Sequence, residues 1–209
     1  MMLNELMERY PCLAVCREDL ETAARALIAC YERGGRVFTC GNGGSCADAD
    51  HIVGELMKGF LKKRPLSEEK RKAMLTRCPD LTEETLGKLQ GALPALSLCS
   101  LTALNTAFCN DVDPALMYAQ SILGLGREGD VLICLSTSGN AANVHGAAQV
   151  ASGLGLTVIG LTGQAGGKLR ETANICIRVP ETETFKVQEL HLPVYHYLCA
   201  AVEAHFFTE

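Results

Sequence analysis

The run Gly41-Asn42-Gly43-Gly44-Ser45 stands between an apolar stretch, Arg36 to Cys40, and a helix-like stretch that carries His51 and Glu55 four residues apart. A strand that feeds a glycine-rich turn and then a helix exposes unpaired N–H groups and the positive end of the helix dipole, a setting that favours phosphate. One to two turns later, His51 and Glu55 share a helical face and offer two groups suited to a metal or a proton. The loop has no lysine, so it lacks the Gly-Lys-Ser/Thr ending of a nucleoside triphosphate cradle. Its Gly41-x-Gly43 start is that of a dinucleotide fingerprint. However, Cys46 occupies the third glycine position, and no acidic residue closes a second strand about 20 residues on. What remains is a monophosphate cradle of backbone N–H groups and the Ser45 hydroxyl or, for the loop taken alone, a plain glycine-rich turn.

A second loop decides between those readings. Asp130 to Leu135 reads as a buried strand, and Ser136-Thr137-Ser138-Gly139-Asn140 follows it, ahead of a helical pattern from about Asn143 to Ser152. Serine and threonine commonly cap helices, so this cluster by itself is ordinary. Paired with the first loop, both at strand C-termini, it reads as half of one phosphate site. Open α/β sheets bind ligands at that edge, in the crevice where strand order reverses.

With both loops in view, the chain resembles the SIS (sugar isomerase) domain family and, within it, the phosphoheptose isomerases. The matching pieces are GNGGSCADADHIVGEL from Gly41, CND from Cys109, REGDVLICLSTSGNAANV from Arg127, GLTGQAGGKL from Gly160 and VQELHLPVYH from Val187. They span most of the chain from Arg36 onward, in the family's order. The resemblance implies a three-layer α/β sandwich with a five-stranded parallel sheet, flavodoxin-like, and interconversion of a ketose phosphate and an aldose phosphate through an enediolate. Sedoheptulose 7-phosphate is the leading substrate. It further implies Glu55 as base and His196 as the acid serving O1 and O2. Asn42, Gly43, Gly44, Asp111, Thr184 and Gln188 would line the substrate pocket, and Ser45, Ser136, Thr137 and Ser138 would hold the phosphate.

His51, Glu55, Gln188 and His196 match the positions where zinc-binding members place their ligands, implying one zinc or other divalent first-row ion per site. Gln188 and His196 lie about 12 Å apart along an ideal helix, so the set expects a kink at Pro193 or an irregular first turn. Two departures from the family bear on the substrate: Ala141 stands where another serine is common after the STSGN motif, and Lys58-Gly59-Phe60 displaces a cation by one position. The competing reading is a noncatalytic SIS phosphosugar-binding regulator or an adaptor of a replication initiator. Such relatives lack the His/Glu and terminal His set, so Glu55 and His196 favour an enzyme.

The elements that must position these groups alternate along the chain. Helices are expected at about Leu3 to Tyr10 and Glu18 to Arg33, separated by Pro11. Strands are expected at Arg36 to Cys40, Ala95 to Cys99, Val131 to Leu135, Thr157 to Leu161 and Ile175 to Val179. Residues 1–35 are read as N-terminal helices of a single SIS domain spanning 1–209. The stretch from about 66 to 92 is read as a helical hairpin insert, either a solvated surface elaboration or a lid or added subunit contact, with starts at Ser67 and, as a capping-box type, at Asp80 to Glu83. The terminal helix, about Thr184 to Phe206, is apolar on several sides and is expected to be buried between subunits. With the N-terminal helices it exceeds what five strands need for cover, and the resemblance implies a homotetramer with sites at subunit boundaries.

Composition narrows the partners. The 209 residues carry a net charge of -5, and the basic runs Lys62-Lys63-Arg64 and Lys70-Arg71-Lys72 are poor material for a nucleic-acid face. No apolar stretch is long and uncharged enough to span a bilayer, and MMLNELMERY lacks a signal peptide's pattern, so a cytoplasmic protein is expected. The eleven cysteines mostly lie singly among apolar residues, as do Cys30, Cys40, Cys134, Cys176 and Cys199, and read as reduced core residues. His145, His191 and His205 read as satisfied core histidines.

Overall fold

The apolar runs form five parallel strands: β1 (Val37–Cys40), β2 (Ala95–Ser97), β3 (Val131–Leu135), β4 (Thr157–Thr162) and β5 (Ile175–Arg178). This computed structural model describes residues 2–207. The strand order is β2-β1-β3-β4-β5, so the order reverses between β1 and β3. Such a switch point leaves a crevice at the strands' C-terminal ends.

Every residue of β1 and β3 is buried, because helices cover both faces. On one face Val131, Ile133 and Leu135 pack with α1 (Leu3–Arg9), α2 (Arg17–Glu32), α3 (Gly44–Met57) and the terminal helix α10 (Thr184–Phe206). Between α3 and α10 in sequence lie α4 (Glu68–Arg77), α5 (Glu83–Lys88), α6 (Thr102–Asp111), α7 (Met117–Leu125), α8 (Ala142–Gly153) and the short α9 (Leu169–Thr172). On the other face Leu132 and Cys134 pack with Tyr118 and Ile122 of α7 and Val144, Ala147, Ala148 and Ala151 of α8. Alternate side chains of each strand thus feed two cores, as the period-2 pleat requires.

The structure departs from sequence expectation in places with local causes. Pro11 does not merely separate two helices; it opens a 3-10 helix, Pro11–Cys16, that runs into α2. Strand β2 stops at Ser97, whose hydroxyl accepts from the Cys99 amide at 3.3 Å and turns the chain into a 3-10 helix. Helix α10 does not break at Pro193, and Gln188 lies within its regular span. Its apolar sides are covered largely within the chain, by α2 and α3, while Phe185 and Leu192 stay exposed. His205 is exposed and bonds Glu32 at 2.9 Å, His145 bonds Thr172 at 3.0 Å, and His191 is buried with neither ring nitrogen partnered.

In the 66–92 stretch, α4 is capped by Ser67, which accepts from the Lys70 amide at 3.3 Å. The cap of α5 is Thr82, accepting from the Thr85 amide at 3.1 Å. The capping-box pattern at Asp80 and Glu83 therefore does not form, and Glu83 instead pairs with Arg71 across the two helices. A bridge between Pro65 and Gln90 closes the base. All eleven cysteines are free. No helix of the described residues is long and apolar enough to cross a membrane.

Candidate active site

Both glycine- and hydroxyl-rich loops lie at the switch point, one after β1 and one after β3. Gly43 takes a φ of +56° as the cap of α3, a conformation that favours glycine. Gly44 is small for another reason: a methyl there would sit 2.6 Å from Gln188 Nε2. Gln188 therefore lies over the first turn of α3. Ser45 and Ser136 are buried, Thr137 is half-buried, and Ser138 is exposed. A reciprocal carboxamide pair, Asn42 Nδ2 to Asn143 Oδ1 at 2.8 Å and Asn143 Nδ2 to Asn42 Oδ1 at 2.9 Å, ties the two loops together.

The loop from Gly163 to Lys168 braces the second cradle from behind. The Lys168 amide donates to Asn140 Oδ1 at 3.1 Å, and a Cβ on Gly139 would meet the Gly166 carbonyl at 1.9 Å. Only glycine fits there.

Further along α3 the polar residues face α10. Ser45, Ala49, Ile52 and Leu56 form the buried stripe, which turns Asp48, His51 and Glu55 onto the neighbouring stripe. His51 Nε2 lies 3.0 Å from Glu55 Oε1, and His51 Nδ1 lies 2.9 Å from the Tyr195 hydroxyl. Tyr195 in turn donates to Asp48 Oδ1 at 3.1 Å. The other oxygen of Glu55 accepts from Lys58 Nζ at 3.2 Å. The His196 ring stands edge-on to His51 with centroids 5.1 Å apart, and also touches Phe60 and Tyr195. Its Nε2 is buried with no partner. Burial, helped by His51 and opposed by Glu55, holds the His196 pKa below the ordinary histidine value. Burial raises the Asp48 carboxyl above its ordinary range, against the pull of Tyr195 and His51.

His51, Glu55 and His196 thus come together, while Gln188 lies at the other end of α3, where seven residues of rise make roughly 10 Å. Among the described residues no three His, Cys, Asp or Glu side chains are arranged to hold a metal ion. The donor types nonetheless suit one: two imidazoles and a carboxylate stand together, and one buried imidazole nitrogen is unsatisfied. Asp111 ends α6, exposed, and bonds Asn110 at 2.8 Å; Thr184 opens α10, also exposed. Among the described residues neither is hydrogen-bonded to the Glu55–His196 group.

A buried ion pair, unforeseen in the sequence, fixes the chain just after Glu55. Glu203 of α10 accepts from the amides of Phe60, Leu61 and Lys62 at 2.8, 2.7 and 3.1 Å and from Arg64 Nε at 2.8 Å. Arg64 also donates to the carbonyls of Leu56 and Glu55 at 2.7 and 3.0 Å. The pair is dry, with side-chain exposures of 0% and 1%. Although burial opposes ionisation, the amides and the guanidinium hold the Glu203 pKa below its ordinary value. Arg64 was legible only as the end of a basic run. Asn143, Asp48 and Tyr195 lie inside the motifs but carried no signal of their own.

A parallel sheet with two anion cradles at its switch point and an imidazole–carboxylate group further along the helix that leaves the first cradle fits a phosphosugar-handling α/β protein. Residues 11–86 and 90–163 match the SIS domain family. The chain is 39% identical over 191 residues to a phosphoheptose isomerase of Rhodospirillum rubrum, covering 91% of this chain and 88% of that one. The solved phosphoheptose isomerase of Neisseria gonorrhoeae superposes with a TM-score of 0.75 at 29% identity, over 96% of this chain and 94% of its own. That of Francisella tularensis gives 0.74 at 30% identity, over 90% and 86%. The chain belongs to the SIS domain family and, within it, to the phosphoheptose isomerases.

Proposed function

We infer that this chain is an aldose–ketose phosphosugar isomerase of the phosphoheptose isomerase type, acting on sedoheptulose 7-phosphate to give D-glycero-D-manno-heptose 7-phosphate. The observation that carries the reading is the group on the α3–α10 seam: a carboxylate, Glu55, bonded to His51, which packs on a second imidazole, His196, whose buried Nε2 is unpartnered. Aldose–ketose interconversion removes a proton from the carbon next to a carbonyl and returns one to the neighbouring carbon. Glu55 is the base in this reading. His196 Nε2 serves O1 and O2, carrying a proton between them. The phosphate rests on the amides of Gly43 and Gly44 and the hydroxyls of Ser45, Ser136, Thr137 and Ser138. Asn42, Asp111, Thr184 and Gln188 line the sugar.

Zinc or another divalent first-row ion would be held by His51, Glu55 and His196, either loosely or in place of one proton-transfer role, since Glu55 cannot be a tight ligand and a free base at once; Gln188, expected as the fourth donor, lies roughly 10 Å of helix rise away. When bound, it would polarise the carbonyl and stabilise the enediolate oxygen. The assembly proposed is a homotetramer with sites shared at subunit boundaries. Glu55 lies eleven residues, about 16 Å of helix rise, from Gly44, and a neighbour's loops shorten that span. The whole chain acts as one SIS domain, with residues 1–35 as N-terminal helices and 66–92 as an insert. Eleven free cysteines suit a reducing cytoplasm, and the partners are the sugar phosphate and further copies of the chain, not nucleic acid or membrane.

The test is to incubate the full chain, with and without zinc, with sedoheptulose 7-phosphate and follow the anomeric signals by NMR. Appearance of the aldose phosphate is expected. Binding of the sugar phosphate without any interconversion would favour the regulator reading instead.

A further inference from the structure

Helix α10 brings one more group to the site, the phenol of Tyr195, which is 1% exposed and lies between two polar side chains of α3. Its oxygen is 3.1 Å from Asp48 Oδ1 and 2.9 Å from His51 Nδ1. A phenol has one proton to donate, and an ionised carboxylate can only accept. If the phenol gave its proton to His51, Asp48 Oδ1 would face the phenolic oxygen with no proton between them, and Asp48 makes no other side-chain hydrogen bond among the described residues. If it gives the proton to Asp48, the contact with His51 needs a proton on Nδ1. With Asp48 ionised, only the second arrangement puts a proton in both of these contacts, and Nε2 then faces Glu55 Oε1 at 3.0 Å as acceptor to acceptor, a gap filled by a cation or by a second proton on the ring.

We propose that Asp48 and Tyr195 are positioning residues that keep a proton on His51 Nδ1, leaving Nε2 as the nitrogen that meets Glu55, a metal or the substrate. The inference rests on the placing of His51 in the active site. An imidazole that works through one nitrogen generally has the other fixed by a partner, which sets both its tautomer and its ring orientation. The edge-on packing of Tyr195 against His51, with centroids 5.4 Å apart, and against His196, at 5.1 Å, holds the three rings in one arrangement. The device is thus a short relay, Asp48 to Tyr195 to His51, ending at Glu55 Oε1 3.0 Å beyond.

The test reads the tautomer directly, by long-range proton–nitrogen NMR on the full chain labelled with nitrogen-15 at histidine. Spectra are taken at pH about 8, above the ordinary histidine range, and His51 is assigned by the loss of its signals in His51→Gln. Wild type should show a protonated Nδ1. Tyr195→Phe should lose that preference and lower kcat/KM or zinc affinity roughly 10- to 100-fold, with a native circular dichroism spectrum. Asp48→Asn, whose carbonyl still accepts, should keep the tautomer, and Asp48→Leu should not. A wild-type His51 protonated on Nε2 alone would overturn the proposal, as would Tyr195→Phe with tautomer and kcat/KM unchanged. The wild-type spectrum needs neither a variant nor turnover, so absence of isomerase activity would count against the enzymatic reading without deciding this one.

Discussion

The α3–α10 seam and the 66–92 hairpin are both helical, both charged and adjacent in sequence, yet they are held by different physics. At the seam, the Arg64–Glu203 pair is dry and fully bonded: Glu203 collects three amides and a guanidinium, and Arg64 reaches back to two carbonyls of α3. In the hairpin, α4 buries no residue and α5 buries only Leu86. Its order comes from two side-chain caps and the Arg71–Glu83 pair, interactions that are each weak in water. The seam fixes the positions of Glu55 and His196 against each other. The hairpin is tied to that frame at its base, where Gln90 accepts from the Gly59 amide at 2.7 Å.

The largest expected effects are on chemistry at the seam. Glu55→Gln and His196→Asn should each lower kcat by about 10²- to 10⁴-fold, measured as initial rates of isomerisation with thermal melts as a control for folding. Wild-type rates in either variant would remove that residue from the mechanism. Next comes stability. Glu203→Leu strands a buried guanidinium and should cost about 3–5 kcal/mol in urea unfolding, whereas a change below about 1 kcal/mol would mean that the ion pair does not hold the seam.

A smaller effect is set by pH. Burial pulls the His191 pKa down from the ordinary 6.5 to about 4. The unfolded chain therefore binds the proton first, and the stability contributed by keeping His191 neutral is intact above pH 6.5 and lost as pH falls toward 4. The loss approaches about 3 kcal/mol. His191→Leu should flatten that part of the stability–pH profile, and an unchanged acid slope would show that other groups dominate it. The smallest effect belongs to the hairpin: Arg71→Ala should change global stability by less than about 0.5 kcal/mol. A loss of several kcal/mol would erase the contrast between the two regions.

What was legible in the sequence follows the same division. Strand β3 and the terminal helix were read at their observed ends because an uninterrupted apolar run and a long stretch that is apolar on several sides leave few alternatives. The end of β2 was not legible, since it depends on one serine hydroxyl bonding the amide two residues on. The loops declared themselves through glycine and hydroxyl clusters, but the Asn42–Asn143 pair joins residues 101 apart. A contact of that range has no local signature. Arg64 and Glu203, 139 apart, were hidden for the same reason, and Arg64 looked like one cation of a surface run. His191 was read as a satisfied core histidine; it is core, and its polar neighbour, the Thr162 backbone of β4, lies outside well-formed hydrogen-bond geometry, a difference that only the neighbouring strand and the helix packing decide.

The central claim is that the seam performs proton transfer at carbon, with Glu55 as the base. Its most direct measurement is solvent deuterium incorporation into sedoheptulose 7-phosphate, followed by NMR in deuterated water while isomerisation proceeds. The account predicts that wild type places deuterium at C1 of the ketose or C2 of the aldose, and that Glu55→Gln abolishes both exchange and turnover together. Isomerisation without deuterium incorporation, or exchange that survives in Glu55→Gln at the wild-type rate, would contradict it.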